Sequence, residues 1–183
     1  MPRVQAIALL AALPGLALAG CSGVDAGVVE LNWRWVDRDG DPIFPAGQFS
    51  PGQGSCDVRA RSSDGATRVD LRVELSICEE SCADACDAEC EVTPAERFDC
   101  DAARATLNSV PAAEEPYLFI VRAVIDGTGE PCVAPPPGCI AVPGPRARTV
   151  QRGLVTDLQV YQLAVDLDLD GDSSLDMAAC GCE

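Results

Sequence analysis

The stretch Arg68-Val-Asp-Leu-Arg-Val-Glu-Leu-Ser-Ile77 decides the fold class of this chain, because polar and apolar side chains alternate over all ten of its residues. Successive side chains of a β-strand point to opposite faces, so the pattern predicts a strand with one buried and one solvent-exposed face. The same alternation recurs at Val29, Leu31, Trp33 and Trp35. Tryptophans on such a face can stack on sugars, but we expect Trp33 and Trp35 to lie in the core.

Other segments of the chain also have strand character. Tyr117 to Asp126 is apolar on nearly both faces, which predicts a central strand, whereas the segment from Leu158 to Leu169 changes register at Tyr161-Gln162, which predicts a β-bulge. Short strands are predicted at 56–60 and 103–107, with turns or loops at 37–42, 45–55 and 132–145. Six or seven strands without a long amphipathic helix indicate an all-β, antiparallel β-sandwich.

The predicted sandwich spans residues 28–170. The segment 79–97 is rich in Cys, Ala and Glu, and we expect it to form an insertion of short helical turns held by disulfides. Residues 171–183 are predicted to be an acidic, cysteine-containing C-terminal tail.

The N-terminus has the pattern of a secretory signal over residues 1–20. Arg3 precedes an apolar run that ends in small residues, and this run is too short for a transmembrane helix. Leu18-Ala19-Gly20-Cys21 resembles the lipobox of bacterial lipoproteins. The resemblance implies that Cys21 is acylated, that cleavage occurs before it, and that residues 21–27 are a lipidated cysteine and a short tether. An ordinary signal peptide followed by an unrelated cysteine is the alternative.

The lipobox resemblance also implies a location. Proteins of this kind are held to the cell envelope by lipid chains, and Ser22 after the lipidated cysteine favours the outer membrane, facing the periplasm or the exterior. The expected partner is therefore a membrane, contacted through the N-terminal lipid.

Ten cysteines remain when Cys21 is assigned to the lipid, an even number that suits an oxidising compartment. We predict that all ten form structural disulfides: Cys56, Cys78, Cys82, Cys86, Cys90, Cys100, Cys132, Cys139, Cys180 and Cys182. Cys132 with Cys139 is the best single pair, because they flank a short proline-rich loop. Cys180 and Cys182 are too close to join each other without strain, so each is expected to pair elsewhere.

The four cysteines from Cys78 to Cys90 recur every four residues. On a helix this spacing forms a stripe that could hold a metal or a redox centre. The acidic surroundings oppose thiolate formation and zinc sites favour a different spacing, so structural disulfides are the preferred interpretation.

Composition excludes several function classes. The chain has 183 residues with 13 basic and 29 acidic side chains, a net charge of −16, and it contains no histidine. Serine and cysteine triads that rely on histidine are therefore excluded, as are imidazole metal sites. The acidity argues against a nucleic-acid partner, since phosphates require basic groups.

The acidic segment Asp166-Leu-Asp168-Leu-Asp170-Gly171-Asp172 resembles the start of a calcium-binding loop. Carboxylates two residues apart can converge on one ion, and Gly171 permits the sharp turn. The alternative is the outward face of a strand followed by a solvated turn.

No other cofactor is indicated, and no pair of carboxylates is marked out for hydrolysis, so we predict that the protein is not an enzyme.

The layout as a whole resembles an immunoglobulin-like domain found in bacterial lipoproteins, and a prealbumin-like sandwich would share its features. The resemblance rests on LNWRW in the first strand, Cys56 opening the second, VDLRVELSI, and the tyrosine-started YLFIVRAVID. It implies a fold and an envelope location, without an activity. We therefore expect a non-enzymatic binding or adhesion module for a protein or glycan ligand, with recognition by loops 45–55 and 79–97 at one end. A structural envelope protein and a calcium-binding surface protein are the alternatives.

Overall fold

The computed structural model describes residues 25–44, 56–82, 86, 89–127, 129–167 and 174–182. Within these residues the chain forms twelve strands and two short 3₁₀ helices, Glu80–Cys82 and Cys100–Ala102. The strands are β1 (Ala26–Val36), β2 (Pro42–Phe44), β3 (Asp57–Ser62), β4 (Gly65–Glu79), β5 (Glu91–Asp99), β6 (Arg104–Pro111), β7 (Tyr117–Asp126), β8 (Cys132–Val133), β9 (Ile140–Ala141), β10 (Arg146–Arg148), β11 (Val155–Val165) and β12 (Leu175–Asp176). The all-β prediction is confirmed.

The strands form two sheets. The first has the order β2-β1-β11-β9, and β6 pairs with the same central strand β1. The second has the order β10-β7-β4-β3-β12, with β5 pairing with β4 and β8 pairing with β7. The alternating stretch from Arg68 to Ile77 lies in β4, a central strand of the second sheet.

The prediction of purely antiparallel sheets is wrong in two places. β1 pairs with β11 in parallel, and β12 pairs with β3 in parallel, so both sheets are mixed. Parallel neighbours require a connection that crosses between distant parts of the chain. Alternation within a strand carries no information about this choice of partner.

The core consists of the inward rows of both sheets. Trp33 and Trp35 of β1 are almost fully buried, which confirms the prediction for these two residues. The indole N–H of Trp33 donates to the carbonyl of Cys100 at 3.0 Å, and its ring centroid lies 5.8 Å from that of Phe98. Phe98 belongs to β5 of the second sheet, and Cys100 belongs to the 3₁₀ turn that follows β5. These contacts therefore join the two sheets.

The bulge predicted in the last long strand is present, but its position differs. Between the pairs Glu30–Asp157 and Asn32–Val160, β1 has one residue and β11 has two. The extra residue is in the stretch of Leu158 and Gln159, and Gln159 has a positive φ of 63°. The bulge therefore precedes the Tyr161-Gln162 position expected from the sequence, and Tyr161 is already back on the buried face.

The cysteine-rich segment 79–97 is less helical than predicted. Among its described residues, which leave out 83–85, 87 and 88, the helical part is the single 3₁₀ turn Glu80–Cys82, and residues from Glu91 onward form β5, which pairs with β4. Pro94 disguises this strand in the sequence. It is tolerated because β5 lies at an edge, where a missing N–H interrupts no second ladder.

The sandwich has two distinguishable ends. At the first, here called the N-end, β1 starts beside the start of β11, and the last residue of β4 pairs with Tyr117, the first of β7. The two sheets meet there, because the N–H of Ala113 donates to the carbonyl of Val150. β1 extends about 33 Å from this end to the opposite end.

Candidate functional site

All ten cysteines predicted to form disulfides are paired. The pairs are Cys56–Cys100, Cys78–Cys86, Cys82–Cys90, Cys132–Cys182 and Cys139–Cys180, with Cα–Cα distances of 5.0 to 6.0 Å. These distances are in the range that a disulfide requires.

The expected pairing of Cys132 with Cys139 is wrong. Cys132 lies in β8 of the second sheet, whereas Cys139 directly precedes β9 of the first sheet. The proline-rich segment between them therefore passes from one sheet to the other, and each cysteine bonds to the C-terminal segment instead. Cys180 and Cys182 do pair with separate partners, as predicted.

Part of the C-terminal segment 171–183, predicted to be a tail, packs within the sandwich. Leu175 and Met177 are almost fully buried in the core, and β12 adds a strand to the edge of the second sheet. The N–H of Met177 donates to the carbonyl of Arg61 at 2.9 Å. The sequence signal for this strand was the spacing of Leu175 and Met177, two apolar residues that lie two positions apart.

The four-residue cysteine repeat is not a metal-binding stripe. Its members pair at a separation of eight residues, Cys78 with Cys86 and Cys82 with Cys90, so their sulfurs are bonded to each other. In the part of the chain that the structure describes, no group of three or more cysteine or acidic side chains is arranged to hold a metal ion.

Of the four predicted calcium ligands, Asp166 alone lies within the described residues, and Asp168, Asp170 and Asp172 lie outside them. Asp166 is buried at the end of β11, where its carboxylate contacts the guanidinium of Arg38. Its N–H donates to the carbonyl of Cys139 at 3.0 Å. The carboxylate of Asp166 therefore forms an ion pair with Arg38. Calcium binding by the segment stays a prediction.

The outer face of β4 carries a buried charge cluster. Glu74 is 7% exposed, and its carboxylate accepts from Arg97 of β5 at 2.8 Å and lies 3.4 Å from Arg122 of β7. Arg122 also donates to the hydroxyl of Ser76 at 2.8 Å. The face that alternation predicted to be solvent-exposed is thus covered at this point, and its polar groups satisfy one another.

An acidic cleft of about 390 Å³ lies at the N-end. Its lining includes Glu79 from the end of β4, Glu80 directly after it, and Glu114, Glu115 and Tyr117 from the start of β7 and the segment before it. Burial raises the pKa of the Tyr117 hydroxyl above its ordinary value, and the negative charge of Glu79 raises it further. Sequence reasoning missed this cleft, although two pairs of adjacent glutamates flanking predicted strands were a signal.

A second, shallower cleft of about 470 Å³ lies at the opposite end. Its walls are the end of β1 with the turn Asp37–Gly40, the segment Ala141–Pro143, and Gln162 of β11. The turn is held by the Asp37 carboxylate, which accepts from the N–H groups of Asp39 and Asp41 at 2.9 and 2.8 Å. The cleft combines polar groups with apolar wall residues, the mixture typical of ligand sites.

The two loops expected to carry recognition are described to different extents. The segment that starts at Glu79 begins at the N-end, and β2 pairs with the last residues of β1 at the opposite end. Loop 45–55 follows β2 and lies outside the described residues, so the common end expected for the two loops stays a prediction.

Comparisons with protein-family models, with curated proteins and with solved structures give no match to this chain. Within its described residues, the protein has no helix with the length and apolar character needed to cross a membrane.

Both tyrosines of the chain should ionise late. Burial is the main cause at Tyr161 and outweighs the opposing charges of Arg146 and Arg148, so both native pKa values lie above the ordinary 10.0. The unfolded chain loses these protons first, so this stabilisation is complete below pH 10 and is lost as pH rises through the native values. We expect tyrosinate absorbance to rise at higher pH in native than in unfolded protein.

The variant Glu79→Gln should lower the pKa of Tyr117, since it removes the smaller of two causes, while Glu130→Gln, an exposed control, should change neither tyrosine. Native tyrosines that titrate together with those of the unfolded chain would contradict this description of their surroundings.

Proposed function

We propose that this chain is a lipid-anchored protein of the bacterial cell envelope whose disulfide-stapled sandwich is a non-enzymatic binding module. The observation that carries the proposal is the pairing of cysteines. Of eleven cysteines, ten form five disulfides, and the eleventh is Cys21 of the lipobox-like Leu18-Ala19-Gly20-Cys21.

The pairing supports the location by two independent arguments. Disulfides persist in oxidising compartments, which agrees with export by the N-terminal signal. The five pairs also leave Cys21 without a cysteine partner, as a residue reserved for acylation requires. We include an outer-membrane location in the proposal, supported by Ser22, and an immunoglobulin-like arrangement, supported by the two packed sheets.

The binding role is supported by the cleft at the opposite end, here called the mixed cleft, which is bounded by Asp37–Gly40 and Ala141–Pro143. A chain anchored at Cys21 joins the sandwich at the start of β1, so this cleft lies about 33 Å along β1 from the attachment. We therefore assign recognition of a protein or glycan to the cleft bounded by Asp37–Gly40 and Ala141–Pro143.

Replacement of Cys21 tests the anchor. Wild-type protein extracted from membranes should have the intact mass of residues 21–183 plus acyl chains, and ten thiols should appear only after reduction. Cys21→Ser should remain unacylated and leave the detergent-soluble lipoprotein fraction, because no thiol accepts the lipid. Ser22→Ala is the matched control and should retain acylation. An unacylated wild type, or thiols that react before reduction, would contradict the anchor and the compartment.

A separate comparison tests the binding role. Intact envelope proteins and glycans would be cross-linked to the lipidated protein in the cell and compared among three forms: wild type, Val142→Asp and Val133→Asp. For a ligand that binds in the cleft, Val142→Asp should remove most of the cross-linked product, because it places a charge in the cleft wall. Val133→Asp, which lies outside the cleft, should leave the amount of cross-linked product unchanged. If no cross-linked species depends on Val142, the protein is a structural envelope component and not a binding module.

A further inference from the structure

Leu154 and Val155 are the most exposed large apolar side chains in the described part of the chain. Their exposed fractions are 54% and 59%, and they are adjacent in sequence at the start of β11. Single exposed apolar residues are ordinary on protein surfaces. The position of this pair in the fold is what requires an explanation.

The pair is fixed to the start of β1. The N–H of Val28 donates to the carbonyl of Leu154, and the N–H of Gly153 donates to the carbonyl of Ala26, both at 2.9 Å. The turn packs so closely that a Cβ at Gly27 would lie 2.5 Å from the carbonyl oxygen of Gln151. The turn cannot move away from the point where the chain enters the sandwich.

That entry point is close to the proposed lipid. Three residues lie between Cys21 and Asp25, and the four residue steps from one to the other span about 14 Å at most when fully extended. Asp25 is in turn paired with Arg152, whose guanidinium approaches its carboxylate to 2.7 Å. An acylated Cys21 therefore keeps the turn at 151–155 within a short distance of the bilayer surface.

Basic and acidic side chains occupy different places at the N-end. Arg152 precedes the apolar pair in the turn, and Arg148 of β10 lines the same shallow surface as Leu154 and Val155, together with Asp157. The cleft around Tyr117 is lined by glutamates instead. Lipid phosphates attract arginine and repel carboxylates, so contact with a bilayer is favourable at the arginines and unfavourable at the acidic cleft.

We propose that Leu154 and Val155 insert into the headgroup region of the bilayer that holds the lipid, with Arg148 and Arg152 against the phosphates. This inference rests on the proposed anchor at Cys21 and adds a defined membrane-contacting surface and orientation to it. In this orientation the turn at 151–155 contacts the bilayer, the glutamates of the acidic cleft lie away from the phosphates, and the cleft bounded by Asp37–Gly40 points into the aqueous space. Apolar side chains flanked by basic ones are the combination that interfacial anchors use.

Quenching of tryptophan fluorescence by brominated acyl chains tests this contact, with the tryptophan placed in the apolar pair or at a control position. The full-length lipidated protein would be reconstituted into vesicles of phosphatidylethanolamine and phosphatidylglycerol, with and without brominated acyl chains. Leu154→Trp should be quenched at least twofold more than the wild type, whose Trp33 and Trp35 are buried and supply the same background in every variant.

Two control variants carry the same substitution to tryptophan at apolar positions of similar exposure elsewhere on the surface. Val160→Trp lies roughly 17 Å further along β11, and Val133→Trp lies on the second sheet toward the opposite end. Neither should be quenched beyond the wild type, because a bilayer that touches the turn at 151–155 does not reach them.

The outcomes separate this inference from the anchor on which it rests. Acylated protein that joins the vesicles but shows equal quenching at positions 154, 160 and 133 would overturn the orientation and leave the anchor intact. The same holds if Leu154→Trp is shielded from solvent without vesicles, since another protein surface would then cover the turn. Protein that carries no acyl chain and does not join the vesicles would overturn both.

Discussion

The covalent constraint imposed by three long-range disulfides is the feature on which the rest of this structure depends. Cys56–Cys100, Cys132–Cys182 and Cys139–Cys180 close loops with sequence separations of 44, 50 and 41 residues. In the chain-entropy account, loops of this length each contribute roughly 4 kcal/mol by restricting the unfolded chain. Two of them join the C-terminal segment to both sheets, and this brings Leu175 and Met177 into the core. An oxidising environment is thus a condition for the fold, and it agrees with the export that we propose for this chain.

Local pattern was sufficient to identify the long strands β1, β4 and β7, but not their partners. Alternation identified β1 and β4, and the apolar residues of β7 marked it as central, because these features depend on which face of a strand is buried. The parallel pairing of β1 with β11 depends on contacts between opposite ends of the chain, which alternation does not encode. Pro94 concealed β5, since the tolerance of proline depends on an edge position that the sequence does not reveal.

The candidate sites show the same division. The prediction of ten paired cysteines came from their even number and from the expected export of the chain. The pairing of Cys132 with Cys139 was wrong, because proximity in sequence does not reveal that a loop crosses between sheets. Glu74 was expected to be solvated, and it is buried because arginines from both neighbouring strands cover it. The acidic cleft and the exposed turn at 151–155 exist only once β4, β7 and β11 are aligned at a common end.

Disulfide mapping without reduction tests the central claim, an oxidised sandwich that includes the C-terminal segment, most directly. Trypsin cleaves after arginine, so Cys132 and Cys139 fall on peptide 123–146 and the last two cysteines fall on peptide 153–183. The account predicts that these two peptides remain joined until a reductant is added, and that fragmentation assigns Cys132 to the final cysteine. Two peptides that separate without reduction, each closed within itself or carrying free thiols, would contradict it.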